Sequence, residues 1–254
     1  MSKIAFITGA SSGIGYATAK LCAKNNIDVI ICGRRSEKLS QLEKEISDLV
    51  KVYKLIFDVS QKQDVFNAII YLPEEWRKID YLINNAGNAH GLDLVQDADL
   101  EDWEKMIDIN VKGLMYVTKA ILPLMLENKA GHIINISSIA GKEVYPKGNA
   151  YCASKHAVDA FNDGLRIDLS GTGIRVSMIN PGMVNTEFSA VRFKGDKEKA
   201  DKVYEGFAPL SAEDVAELIY FILTRPKHVN ISDTTILPTA QVSATITHKD
   251  DLIT

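Results

Sequence analysis

Apolar runs of strand length alternate with segments of helical periodicity along the whole chain. The runs Lys3 to Thr8, Asp28 to Cys32, Val52 to Phe57, Tyr81 to Asn84, His132 to Ser137 and Arg175 to Asn180 are short and rich in Ile, Val and Leu. A strand with one wet face needs a polar residue at every second position, so these runs predict parallel strands buried on both faces. Between them, Ser36 to Leu49 repeats Leu39, Leu42, Ile46 and Leu49 at helical spacing with charges opposite, and Ser36 stands where an N-cap is expected. Leu100 to Glu127 is apolar all round, with Trp103, Met106, Ile109, Leu114 and Val117 among its residues, which predicts a helix buried against a neighbour. Regular alternation of strand and helix predicts a doubly wound α/β sheet. It breaks over residues 182–211, a long charge-rich excursion after the sixth strand; excursions of that length often act as lids or substrate loops.

The length of 254 residues suits one α/β domain over 1–254. With 46% hydrophobic and 24% charged residues the chain can bury a sizeable core and lacks the signature of disorder. A net charge of −4 offers no positive field to a phosphate backbone, so no nucleic-acid partner is expected. The longest apolar stretches, such as Ile121 to Leu126, fall short of the roughly 18 to 20 residues that span a bilayer. The N-terminus enters a strand without the layout of an export signal, so no membrane and a cytoplasmic location are expected. Cys22, Cys32 and Cys152 are odd in number and scattered, which suits a reducing compartment. The five histidines form no HExxH pattern, so no metal site is expected.

The first predicted strand ends in Thr8-Gly9-Ala10-Ser11-Ser12-Gly13-Ile14-Gly15, and a helical segment follows at once. Glycines there permit a tight turn and close backbone approach, while the helix N-terminus offers free N–H groups to a pyrophosphate. Strand before and helix after are the context that gives such a pattern meaning. A dinucleotide fold that takes NAD carries an acidic residue after the second strand for the ribose 2′-hydroxyl. Gly33-Arg34-Arg35 stands there instead, and a guanidinium attracts a 2′-phosphate, so NADP(H) is the expected cofactor. The plainer alternative is that both arginines are solvated loop charges.

Further motifs follow in order: Asn84-Asn85-Ala86-Gly87 at the end of the fourth strand, Asn110 in an NxxG context, Ser138 at the end of the fifth strand, Tyr151-Cys152-Ala153-Ser154-Lys155, and Pro181-Gly182-Met183-Val184-Asn185-Thr186 after the sixth. Together with TGxxxGxG they resemble the short-chain dehydrogenase/reductase family, and the resemblance covers nearly the whole chain. It implies a Rossmann-type single domain of about seven parallel strands with helices on both faces. It also implies catalytic roles for Asn110, Ser138, Tyr151 and Lys155. The implied cofactor-binding residues are Gly9, Ser11, Ser12, Gly13, Ile14, Gly15, Arg34, Arg35, Asp58, Val59, Asn85, Ala86, Gly87, Tyr151, Lys155, Pro181, Gly182, Val184 and Thr186. In the family pattern the tyrosine is the acid/base, the serine holds the reacting oxygen, the lysine also contacts the nicotinamide ribose, and the asparagine holds a water of the proton relay. A homotetramer is the family's common assembly.

The spacing has its own physical sense. Tyr151 and Lys155 are i and i+4 on a predicted helix and rise from one face. An ammonium beside a phenol favours the phenolate and would lower the tyrosine from its ordinary value of about 10. Taken singly, Tyr151 as a core tyrosine, Lys155 as a solvated charge, Ser138 as a strand-end cap and Asn110 as a buried turn are the plainer readings. Cys152, between acid/base and lysine, reads as a small buried helix residue rather than a redox switch.

Within the family, Leu72 to Trp76, Thr186 to Ser189, Val191 to Asp196, and the tail from His228 through Thr239 resemble NADP-dependent 3-hydroxy acid dehydrogenases of the serine and allo-threonine type. Arg192 suits a clamp on a small carboxylate, and Tyr145 would add a hydroxyl and exclude water; a surface ion pair is the alternative for Arg192. A sulfonate aldehyde such as sulfoacetaldehyde would serve the same arginine. A 3-oxoacyl thioester reductase is disfavoured, because the chain carries Ile236-Leu237-Pro238-Thr239 where such proteins have a Gly-Gly strand. An NADP-sensing regulator would be expected to lose a member of the catalytic set, and all four are present.

Overall fold

The structure, a computed structural model, describes residues 2–249. The expected domain over 1–254 also takes in Met1 and 250–254, which lie outside the described residues. Seven parallel strands form one sheet in the order β3-β2-β1-β4-β5-β6-β7. They are β1 (Lys3–Thr8), β2 (Ile27–Gly33), β3 (Val52–Ile56), β4 (Tyr81–Asn84), β5 (Gly131–Ile136), β6 (Ile174–Pro181) and β7 (Asp233–Ile236). The order reverses between β1 and β4, which opens the crevice where ligands bind in such sheets.

Alternate residues of each strand serve two cores. Ala5, Ile7, Val29, Ile31, Ile83 and Ile134 pack against α1 (Gly13–Lys24), α2 (Ser36–Ile46) and α9 (Ala212–Leu223). Phe6, Ile30, Leu82, Ile133 and Val176 face the other way, onto α3 (Lys62–Ile70), α5 (Leu114–Asn128) and α6 (Asn149–Asp168). Both faces are dry, which is why the strands read as continuous apolar runs.

The expectation of two-sided burial fails at the edge. β3 pairs only with β2, its residues are half-buried, and Ile56 is exposed. An edge strand lacks a neighbour to shield it. Ser36 is the first residue of α2 rather than its cap; Arg35 occupies the cap position with extended backbone.

The long apolar segment is a single stack only in outline. α4 (Leu100–Ile107) passes through a π-helical turn over Asp108–Gly113 into α5. By length and composition residues Leu100–Asn128 are apolar enough to cross a membrane, but Val117, Ile121, Leu124 and Met125 are core residues under the sheet, while Leu100 and Leu126 face out. The segment is buried against the sheet as expected, on one side of the helix. The excursion over 182–211 is itself structured. It holds α7 (Phe188–Arg192) and α8 (Lys197–Lys202), and its base is tied where Leu210 donates to the Met183 carbonyl and Asn185 to the Leu210 carbonyl.

His132 opens β5 deep in the sheet, its Nε2 2.7 Å from the Ser177 hydroxyl, and burial pulls its pKa down from 6.5 to about 3. Between those values the unfolded chain holds a proton that the folded one refuses. The stability from neutral His132 is full above about pH 6.5 and is lost as pH falls toward 3, by an amount on the order of a few kcal/mol. The urea midpoint is expected to fall from pH 7 to pH 4.5, and His132→Gln to lose less over that interval.

Candidate active site

The carboxyl ends of the parallel strands share one edge, where a cleft of about 450 Å³ opens. Two βα turns build its floor. The Thr8 hydroxyl accepts from the backbone N–H groups of Asn85 and Ala86 at 2.9 and 2.8 Å, and the Asn85 amide donates back to the Thr8 carbonyl at 2.9 Å. The glycine turn after β1 is thereby locked to the turn after β4. Gly9 and Gly13 have φ of 67° and 54°, in the left-handed region that favours glycine. A Cβ on Gly9 would meet the Ala86 backbone at 3.0 Å. No side chain caps α1, and no carboxylate lies in its first turn. By contrast, Ser211 and Asp214 form a capping box on α9. Uncapped N–H groups over a glycine cradle suit a pyrophosphate.

Gly9, Ser11, Ser12, Gly13, Ile14, Asp58, Val59, Asn85, Ala86, Gly87, Pro181, Gly182, Val184 and Thr186 line this cleft. Gly15 does not. It packs the helix onto the turn, since a Cβ there would stand 2.6 Å from the Gly9 carbonyl oxygen. Arg34 and Arg35 reach the same lip of the cleft, and each holds a carboxylate. Arg34 lies 3.2 Å from Asp58, and Arg35 lies 2.6 Å from Glu187 while also donating to the hydroxyls of Ser11 and Ser12. Asp58 further accepts from Ser60, and these contacts hold its carboxyl below the usual range despite partial burial. Two guanidinium groups at the end of β2, with no acidic side chain there, suit a 2′-phosphate.

At the other end of the cleft stand Ser138, Tyr151 and Lys155. Lys155 is buried, and its Nζ donates to the Ile136 carbonyl at 3.1 Å. Burial pulls it down from 10.5 to about 8. Its ammonium lies 5.9 Å from the Tyr151 ring centroid. Burial pushes the Tyr151 phenol above its ordinary value, opposite to the lowering expected from Lys155, while the Arg192 charge and the Ser138 hydroxyl act to lower it. The Ser138 Oγ accepts from Ala140 N–H, so it caps the turn after β5 as well as facing the cleft.

Asn110 sits in the π-helical turn behind the cleft wall. Its side chain accepts from Asn88 N–H, donates to the Asn88 carbonyl, and donates to the Ser154 hydroxyl at 3.0 Å. The wider helical turn brings this residue against α6, where Ser154 in turn donates to the Tyr151 carbonyl. Asn110 thus braces the backbone of Tyr151.

Arg192, at the end of α7, lies over this cluster. Its guanidinium carbon is 4.9 Å from the Tyr151 ring centroid and 5.1 Å from that of Phe188, and its Nη2 donates to the Tyr145 hydroxyl at 2.8 Å. No carboxylate pairs with it among the described residues, and its Nε is buried with no hydrogen-bond partner. Tyr145 and Arg192 border Tyr151 rather than the main cleft. Cys152 is buried beside them.

The model of the short chain dehydrogenase family matches residues 3–197. The chain belongs to the short chain dehydrogenase family. Among its relatives are sulfoacetaldehyde reductase 2 of Chromohalobacter salexigens, 46% identical over 95% of this chain and 96% of that protein, and the NADP-dependent 3-hydroxy acid dehydrogenase of Escherichia coli K12, 45% identical over 94% and 96%. The closed form of a serine dehydrogenase complexed with NADP+ superposes with a TM-score of 0.91 at 44% identity, over 96% of this chain and 98% of that one.

Three features of this short chain dehydrogenase escape the sequence: the grip of Glu187 on Arg35, the stacking of Arg192 on Tyr151, and the π-helical turn at Asn110. Glu187 and Arg35 are 152 positions apart, and no local pattern links them. Gly15→Ala is expected to destabilise the fold by about 1–3 kcal/mol and to weaken dinucleotide binding, because the new methyl group displaces the Gly9 carbonyl. Thermal unfolding and fluorescence titration check both.

Proposed function

We infer that this short chain dehydrogenase uses NADP(H) to interconvert a small 3-hydroxy acid, of the serine or allo-threonine kind, with its 3-oxo counterpart. The observation that supports this substrate class is Arg192: a guanidinium without a carboxylate partner among the described residues, stacked on Tyr151, with a buried and unsatisfied Nε. A 3-hydroxy acid carries its carboxylate two bonds from the carbinol carbon. A planar fork beside the acid/base therefore binds the anion and aims the hydroxyl at Tyr151. The relatives named for 3-hydroxy acids and serine support the same class.

Bound NADP(H) supplies or accepts the hydride. In reduction the Tyr151 hydroxyl donates its proton to the carbonyl oxygen; in oxidation the phenolate takes the proton of the substrate hydroxyl. Ser138 donates a hydrogen bond to that same oxygen. Lys155 and Arg192 favour the phenolate electrostatically, and Asn110 holds the helix that carries Tyr151. Because burial pushes the phenol up, oxidation requires alkaline conditions to supply the base form, and its kcat/KM is expected to rise with pH.

A sulfonate aldehyde is the second reading, favoured by the 46% identical sulfoacetaldehyde reductase; a sulfonate offers the guanidinium the same oxygens. A regulator without turnover has less support, since Ser138, Tyr151 and Lys155 lie together in the cleft. The proposal includes a cytoplasmic location, which suits three free thiols, and the homotetramer expected of the family, which light scattering tests.

NADP+ reduction followed by absorbance against serine, allo-threonine, 3-hydroxypropionate and isethionate tests the substrate class. Tyr151→Phe is expected to lower kcat by at least about 100-fold with NADP+ affinity kept; equal rates would refute its role. Arg192→Ala is expected to raise KM for carboxylated substrates and spare neutral carbonyls. Gly33→Asp with Arg34→Ala is expected to shift the ratio of efficiencies toward NAD, and an unchanged ratio would mean that the phosphate is read elsewhere.

A further inference from the structure

The guanidinium of Arg192 keeps its stack only if the backbone beyond α7 is held in register, and α7 itself is a helix of 5 residues. Two contacts hold that backbone. The Gly91 N–H donates to the Arg192 carbonyl at 2.9 Å. Two residues on, the Lys194 ammonium lies 2.8 Å from a carboxylate oxygen of Asp102 on α4. The Asp102 side chain is 5% exposed whereas Lys194 is 57% exposed. Burying a carboxylate costs several kcal/mol, and an apolar pair would hold two segments together as well. Lys194 also lies 3.8 Å from Asp99, the N-cap of α4, so what the half-buried pair adds is register: one ammonium is held at one end of α4.

The three segments converge tightly. Gly91 has φ of 68°, and a Cβ there would stand 3.2 Å from the same Asp102 oxygen. Lys194 also takes a positive φ, 53°, to turn its ammonium inward. Met106, one helical turn from Asp102, and its neighbour Trp103 pack in the same cluster as Tyr151 and Phe188. A shift of α4 against the loop is thus transmitted to the rings on which Arg192 stacks.

We propose that Asp102 is a positioning residue for substrate recognition: through Lys194 it fixes the chain after α7 so that Arg192 stays stacked on Tyr151 and Phe188 and faces the substrate anion. This rests on the reading of Arg192 as the anion clamp. Asp102 does not line the cleft; it acts through the loop.

Charge alone predicts the opposite sign. If Lys194 and Asp102 mattered only by their fields, removing the carboxylate would strengthen binding of an anion. Positioning predicts that binding weakens. Asp102→Asn and the paired Asp102→Asn/Lys194→Met, which leaves no buried charge unmatched, separate the two; Lys194→Met, for which field and positioning predict the same sign, and the conservative Lys194→Arg complete the series. The first three are expected to raise KM for a carboxylated 3-hydroxy acid about tenfold, with kcat within about twofold, and to leave KM for a neutral alcohol and the Kd for NADP+ unchanged; Lys194→Arg restores the wild-type KM. Hydrogen exchange at the Gly91 amide, which reads the clasp without any substrate, is expected to speed up in those three variants. A lower KM for the anion in Asp102→Asn, a parallel change for anionic and neutral substrates, or unchanged exchange at Gly91 overturns the proposal. Faster exchange at Gly91 together with an Arg192→Ala variant that treats both substrates alike leaves the positioning role standing and removes the anion clamp instead.

Discussion

A lysine ammonium buried without a carboxylate governs this site. Lys155 has one hydrogen-bond acceptor among the described residues, the Ile136 carbonyl, and Tyr151 beside it is buried too. Desolvation drives each toward its neutral form, the lysine down and the tyrosine up. Two such groups facing only each other share a site where burial disfavours charge on either. A guanidinium keeps its proton where an ammonium gives it up. Arg192, 4.9 Å over the Tyr151 ring, is a second cation beside the phenol and ties it to the loop over 182–211.

Keeping that cluster dry and aimed is the work of the surrounding fold. Parallel strands sandwiched between helices present all their carboxyl ends on one edge. The turns after β1 and β4 are locked by the Thr8 and Asn85 hydrogen bonds. Behind them the π-helical turn places Asn110 between Asn88 and Ser154, which joins the β4 turn to the helix carrying Tyr151. The floor of the dinucleotide cleft and the acid/base wall are thus one hydrogen-bonded piece.

Much of this was legible in the chain because it is local. A glycine turn between strand and helix, or tyrosine and lysine at i and i+4, needs neighbours only a few positions away. The two-sided strands were legible because burial on both faces erases polar alternation. What stayed hidden depends on tertiary position. The exposure of β3 follows from its place at the sheet edge, not from its own residues. The raised phenol of Tyr151 follows from burial, which the i, i+4 spacing to Lys155 does not encode. Arg192 was legible as a cation in a substrate loop; its stacking on a ring 41 positions earlier in sequence was not. Asp102 carries no motif at all, and only its burial under Lys194 marks it.

The ion pairs around the site fall into two classes, and the difference follows from exposure. Arg34 with Asp58 and Arg35 with Glu187 are solvent-exposed or half-exposed pairs, worth about 0–1 kcal/mol each. At that worth, a 2′-phosphate carrying close to two charges would displace the carboxylates with little loss. Asp102 with Lys194 is the opposite case. Separation would leave a buried carboxylate without its ammonium. The segment from Pro181 to Lys194 thus meets an exposed ion pair at Glu187 and a buried carboxylate at Lys194.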